Sequence, residues 1–128
     1  MIEKNYQAYT KQEVLKATLK YFNGDELAAD VWLKKYCLKD SNDNYYELTP
    51  DDMHWRIAKE LARIESKYIN PLDEESIYET LKNFKRIVPQ GSPMSGIGNN
   101  FQVVSLSNCF VVGNEGECDS YGGIMKLD

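Results

Sequence analysis

The sequence predicts a mainly helical region over residues 1–85, followed by a loop, a strand and a helix start over residues 86–128. Two observations carry that reading. Apolar residues recur at helical spacing in four successive stretches up to Lys85, with turn residues between them. After Lys85 the pattern breaks: Pro89, Gly91, Pro93, Gly96 and Gly98 punctuate a loop, and a β-rich run containing Cys109 follows at residues 101–112.

Residues 1–10 are polar and read as a frayed arm. Over residues 11–22, Val14, Leu15, Leu19 and Phe22 form one apolar face, and Asn23-Gly24 stops the helix. Residues 25–36 repeat the pattern with Leu27, Ala28, Val31 and Trp32. So short a connection makes the two helices neighbours. Residues 38–47 crowd Asp and Asn between short apolar ends, the signal of a small hairpin. Thr49-Pro50-Asp51-Asp52 then opens a third helix, with Thr49 as cap, Pro50 in the first helical position and acids in the first turn. Met53, Ile57, Leu61, Ile64 and Tyr68 give it the clearest stripe in the chain, and Asn70-Pro71 ends it. A fourth helix runs over residues 73–85 with Ile77, Leu81 and Phe84 on one side.

The segment after it is organised differently. Pro89 blocks helix, and three glycines with Ser92 and Ser95 offer free backbone amides of the kind that wrap an anion. Most Gly/Ser loops only turn the chain, so both readings stay open. Residues 101–112 read as a strand buried on at least one side, with Asn108 and the serines unusually polar for such a place. A polar residue beside a core cysteine suggests a site, while a plain buried thiol is the simpler reading. Asp119-Ser120 starts a last helix that runs out at Asp128 without a stop signal, which suggests a fragment of a longer polypeptide.

Composition narrows the function. A chain of 128 residues with 42% hydrophobic residues can bury one real core. Its net charge of −5 argues against a general binder of nucleic acid or anionic membranes, and no run is long and apolar enough to span a bilayer. No apolar stretch follows the start as a signal peptide requires, so a cytoplasmic location is expected. Cys37, Cys109 and Cys118 are an odd set with no CxxC pair, a poor basis for a disulfide framework or a zinc site, and no metal ligands are assigned. His54 has no partner at a telling spacing, and neither it, Cys37 nor Cys118 is given a role.

Taken together, residues 87–128 resemble the large catalytic subunit of ribonucleotide reductase at the entry to its α/β barrel. The resemblance is carried by Pro89 with Ser92-Pro93-Met-Ser-Gly96, by Ser105-Leu-Ser-Asn-Cys-Phe-Val-Val112, and by Asp119-Ser-Tyr-Gly-Gly-Ile124. The helices of residues 11–85, including Trp55-Arg56-Ile-Ala58, look like the helical N-terminal region of that family. The implied fold is therefore a helical domain over residues 1–85, and over residues 86–128 the first strands and a helix start of a ten-stranded α/β barrel. The implied activity is reduction of ribonucleotides to deoxyribonucleotides by thiyl-radical chemistry.

The resemblance also implies roles. Cys109 corresponds to one of two reducing cysteines, which supply electrons as the ribose 2′-hydroxyl leaves. Gly91 and Ser92, in a loop with Pro93, belong to the substrate's phosphate pocket. Asn108 stands where some members carry a serine that touches substrate, and Asp119 matches an acid that contacts an allosteric nucleotide. The implied partners are the remainder of the catalytic chain, a second copy in a homodimer, ribonucleotide substrate, nucleotide effector and an external thiol reductant. Without the downstream polypeptide, which in the family carries the radical cysteine and the second reducing cysteine, the chain is expected to be inactive. No ATP-binding regulatory module is visible, which leans the radical source toward adenosylcobalamin, with a di-metal partner subunit or a glycyl radical as alternatives. The competing reading is a non-catalytic helical interaction or scaffolding domain derived from the same enzyme.

Overall fold

The structure, a computed structural model, describes residues 7–111 and 113. Five helices follow one another: α1 Lys11–Tyr21, α2 Glu26–Lys35, α3 Pro50–Glu65, α4 Glu74–Leu81 and the short α5 Gly91–Gly96. α1 packs along α2, and α3 along α4. Among the described residues there is no β-ladder; the pairing is limited to isolated antiparallel bridges of Tyr45 with Tyr9 and with Lys39. The second of these is the minimal form of the expected hairpin, closed by Tyr46 N–H donating to Leu38 C=O at 2.9 Å.

Local chemistry sets the helix ends. Thr10 and Glu13 form a reciprocal capping box on α1, while Asp25 and Asp73 each accept an N–H in the first turns of α2 and α4. The expected Thr49 cap differs: its side chain makes no capping bond, and Asp52 instead reaches back to accept the Leu48 N–H at 2.9 Å. α3 ends at Glu65, before Tyr68, which is exposed in the turn that follows. α4 also stops early, at Leu81. A 3-10 turn, Lys82–Phe84, follows, in which Asn83 and Phe84 both take left-handed backbone conformations. Those conformations turn Phe84 back to stack on Phe22 and to meet His54 edge-on at 4.6 Å.

The core gathers Val14, Trp32, Leu33, Cys37, Tyr45, Met53, Ile57, Ala58, Ile77, Leu81 and Met94. On α3 the core side follows the expected stripe through Met53 and Ile57. On α2 it is rotated: Ala29, Trp32 and Leu33 are buried, and Leu27 points to solvent. On α1, Thr18 is buried, its hydroxyl donating to Leu48 C=O at 2.8 Å.

Two expectations for the segment after Lys85 are corrected. The anion-type loop closes on itself as α5, because Gln90 is extended and Met94 N–H and Ile97 N–H find carbonyls one turn back. Residues 101–111 form no strand: they are unpaired and exposed, with Val103 and Val111 fully in water. β-propensity describes how side chains fit a pleated surface, and no second strand edge is present among the described residues to provide one. The barrel expected over residues 86–128 is therefore not seen. Cys118, Asp119 and the helix start lie outside the described residues.

Candidate functional site

The polypeptide around α5 is held to the helical domain from below and crossed by the extended segment from above. Gly96 makes the crossing close. A Cβ there would lie 2.3 Å from Val104 Cγ2 and 3.0 Å from Leu106 Cδ2, so only glycine admits this approach. Phe101, at the start of the segment, stacks on Tyr46 with ring centres 4.8 Å apart.

Asn108 ties the far end of the segment to the start of α5. Its Oδ1 accepts the Ser92 N–H at 2.8 Å, and its Nδ2 donates to Gln90 Oε1 at 2.7 Å. Gly91 lies against the Tyr36 ring, and a Cβ on it would also come 3.9 Å from Asn108 Oδ1. The structure thus brings Gly91, Ser92 and Asn108 together. Cys109, the next residue, is a free and exposed thiol. Asp119 lies outside the described residues.

Beneath α5 sits a charged side chain whose importance composition and periodicity do not reveal. Arg56 projects from α3 with its side chain only 8% exposed, paired to a Glu47 side chain only 4% exposed. Its Nε donates to Glu47 Oε2 at 3.0 Å, its Nη1 to Ile97 C=O at 2.6 Å and its Nη2 to Met94 C=O at 2.7 Å, with Tyr36 C=O at 3.4 Å. Glu47 uses its other oxygen to accept the Leu38 N–H at 2.8 Å. Every donor nitrogen of the guanidinium has an oxygen partner, as a buried charge requires. Burial pushes the Glu47 carboxyl upward, and the Arg56 charge pulls it back down. Gly98, at φ +75°, folds the chain onto this pair. A Cβ there would meet Arg56 Cγ at 2.9 Å. A charge beside the Met53–Ile57 stripe and two glycines one residue apart were the available signals for this arrangement.

The other chemistry-bearing side chains are structural. Cys37 is buried, donates to Glu47 C=O at 3.4 Å, and has its thiol pushed up to about 12 by burial, with the neighbouring Glu47 charge adding to the rise. His54 is fully buried with neither ring nitrogen hydrogen-bonded, and burial lowers its pKa. Tyr78 stacks on Trp55 and donates to Asp51 Oδ1; burial first, then that bond, raises its hydroxyl to about 12.

Two cavities flank the site. A polar cleft of about 410 Å³ opens over Tyr46, Trp55, Arg56 and Lys59, and an apolar groove of about 330 Å³ runs between α3 and α4 to Ile87 and Ile97. Among the described residues no three His, Cys, Asp or Glu side chains stand together as metal ligands would. No helix among them is long and apolar enough to cross a membrane.

The comparisons agree with this architecture. The family described as ribonucleotide reductase, all-alpha domain, matches residues 22–99, which run from the end of α1 through α5 to the turn over Arg56. Comparison with curated proteins gave no match, and comparison with solved structures gave none. The match spans more than half of the chain and all of α2 to α5, so the chain belongs to the ribonucleotide reductase family through its all-alpha domain.

Proposed function

We propose that the chain is the N-terminal part of a ribonucleotide reductase catalytic subunit and works only with the downstream polypeptide. In this reading Gly91 and Ser92 receive the substrate's phosphates, and Cys109 is one of the two reducing thiols. The observation that carries it is the Asn108 hydrogen bond to Ser92 N–H at 2.8 Å, which ties the loop to the residue beside Cys109. A phosphate oxygen is a stronger acceptor than an amide oxygen. Substrate therefore displaces Asn108 Oδ1 from the Ser92 amide, and Asn108 turns its Nδ2 toward the ligand.

The chemistry asked of Cys109 is a two-electron reduction. A radical formed elsewhere opens the ribose to loss of its 2′-hydroxyl. The Cys109 thiol and its downstream partner give two electrons and two protons, so that the 2′-hydroxyl leaves as water, C2′ gains hydrogen and a disulfide forms. An external thiol reductant restores the pair. Exposure of Cys109 suits that exchange.

Asp119 is assigned to the effector nucleotide, and a second copy of the subunit to the dimer. Adenosylcobalamin is the radical source in this reading. It is far larger than the ligands that pockets of ~300–1,000 Å³ take, and the described residues do not fit it. Its seat is assigned to the remaining polypeptide, as is that of a di-metal partner's contact in the alternative.

The second reading, a non-catalytic interaction domain, draws on the apolar groove between α3 and α4. One assay separates the two. The downstream polypeptide is added with adenosylcobalamin and a dithiol, and deoxyribonucleotide formation is followed. Turnover that is lost with Cys109→Ser is expected; equal turnover by Cys109→Ser would remove the cysteine from the reaction and favour the interaction domain.

A further inference from the structure

We propose that Arg56 is the positioning residue of the phosphate loop, fixing from α3 where the Gly91 and Ser92 amides stand; this rests on the reading of that loop given above. A six-residue helix has too few internal bonds to hold its own place. At its far end α5 leaves carbonyls without helical partners, and the Arg56 fork takes two of them, Met94 C=O and Ile97 C=O. The fork is itself aimed. Glu47 holds Nε, Leu38 N–H holds Glu47, and the turn at Gly98 lies on the Arg56 side chain. One side chain therefore bolts the loop to α3 and to the hairpin together.

Geometry makes the residue type matter. A guanidinium offers its donors in a rigid planar fork, and the three directions here are filled by a carboxylate and by carbonyls from two separate segments. A lysine keeps the charge but has a single ammonium that cannot span those acceptors. With the clamp loosened, α5 shifts and its first amides no longer converge on a phosphate. Arg56 reaches the far end of α5 and not the reacting sugar, so the loss falls on substrate affinity more than on the chemical step.

The test uses the complete reductase assembled with the downstream polypeptide, with Arg56→Lys, Glu47→Gln and Ser92→Ala compared with the parent. Arg56→Lys is expected to raise KM for the ribonucleotide between about tenfold and a hundredfold, with kcat changed less than about threefold. Hydrogen exchange of the amides in residues 91–99 quickens, and that of α3 and α4 stays protected. Glu47→Gln retains shape, gives the same pattern with a KM rise of about threefold or more, and decides the matter if Arg56→Lys does not fold. Ser92→Ala raising KM while the folded Arg56 variant does not would overturn the inference alone. Exchange quickened evenly across α1 to α4 would also overturn it, making Arg56 a core residue only. Unchanged KM in both Ser92→Ala and Arg56→Lys would refute the phosphate-loop reading, and the inference with it.

Discussion

Replacing His54 with leucine should stabilise the chain, and more so as the pH falls. His54 is fully buried with both ring nitrogens unpaired, so the folded chain carries a donor and an acceptor stripped of water. An unsatisfied buried polar group costs about 1–3 kcal/mol. Leucine has similar bulk and no such groups, but it loses the edge-on contact with Phe84 at 4.6 Å, a loss of about 0.5–1.5 kcal/mol. A net gain of about 1–3 kcal/mol at neutral pH is expected.

The pH term has a definite sign. Burial depresses the folded-state pKa of His54, with the Asp51 charge opposing. The unfolded chain therefore takes up its proton first, near the ordinary histidine value of about 6.5. As pH falls from there toward the depressed value, the unfolded state binds more protons and stability is lost. The loss is at most about 1.4 kcal/mol per pH unit. Glu47, whose folded pKa is raised, acts in the opposite direction from the carboxylate range upward, but it does so in both proteins and cancels in the difference. Urea unfolding of parent and His54→Leu from pH 8 to 5 measures that difference. It should widen steadily below about pH 6.5. A flat difference, or a leucine variant less stable than the parent at pH 7, would refute the account of His54.

Other outcomes follow from single contacts. Gly98→Ala forces a side chain into a left-handed residue and against Arg56 Cγ; it should cost about 1–3 kcal/mol in urea unfolding, beyond the ~1 kcal/mol expected from backbone alone. Thr10→Ala removes a reciprocal cap and should cost about 1 kcal/mol, whereas Thr49→Ala, which loses no capping bond, should change thermal stability by less than about 0.5 kcal/mol. Toward a thiol reagent at pH 8, Cys109 should react in the folded chain and Cys37 only on unfolding, as mass mapping of the labelled peptides will read.

Much of the helical domain was legible because its signals are local. Asn23-Gly24, Pro50 and Asp73 mark ends within a turn of where the structure puts them, and the Met53–Ile57 stripe names the buried side of α3. What was not legible depends on residues distant in sequence. Leu27 looks like a core residue until the packing of α1 on α2 turns Ala29 and Leu33 inward. Arg56 looks like a surface charge on an amphipathic helix; its burial depends on carbonyls about 40 residues away. The β-rich composition of residues 101–112 states a preference that an absent partner edge leaves unmet. At the site, Asn108 and Ser92 were named as neighbours by resemblance, while the Gln90 and Tyr36 contacts that seat them needed coordinates.

The most direct test of the central claim is a single-turnover experiment on the prereduced, reconstituted enzyme with no external thiol. If Cys109 is a reducing cysteine, each active subunit makes one deoxyribonucleotide from the pair before stopping, and peptide mapping finds Cys109 joined in a disulfide to a cysteine of the downstream polypeptide. Deoxyribonucleotide formed in that amount while Cys109 remains a free thiol would contradict the claim.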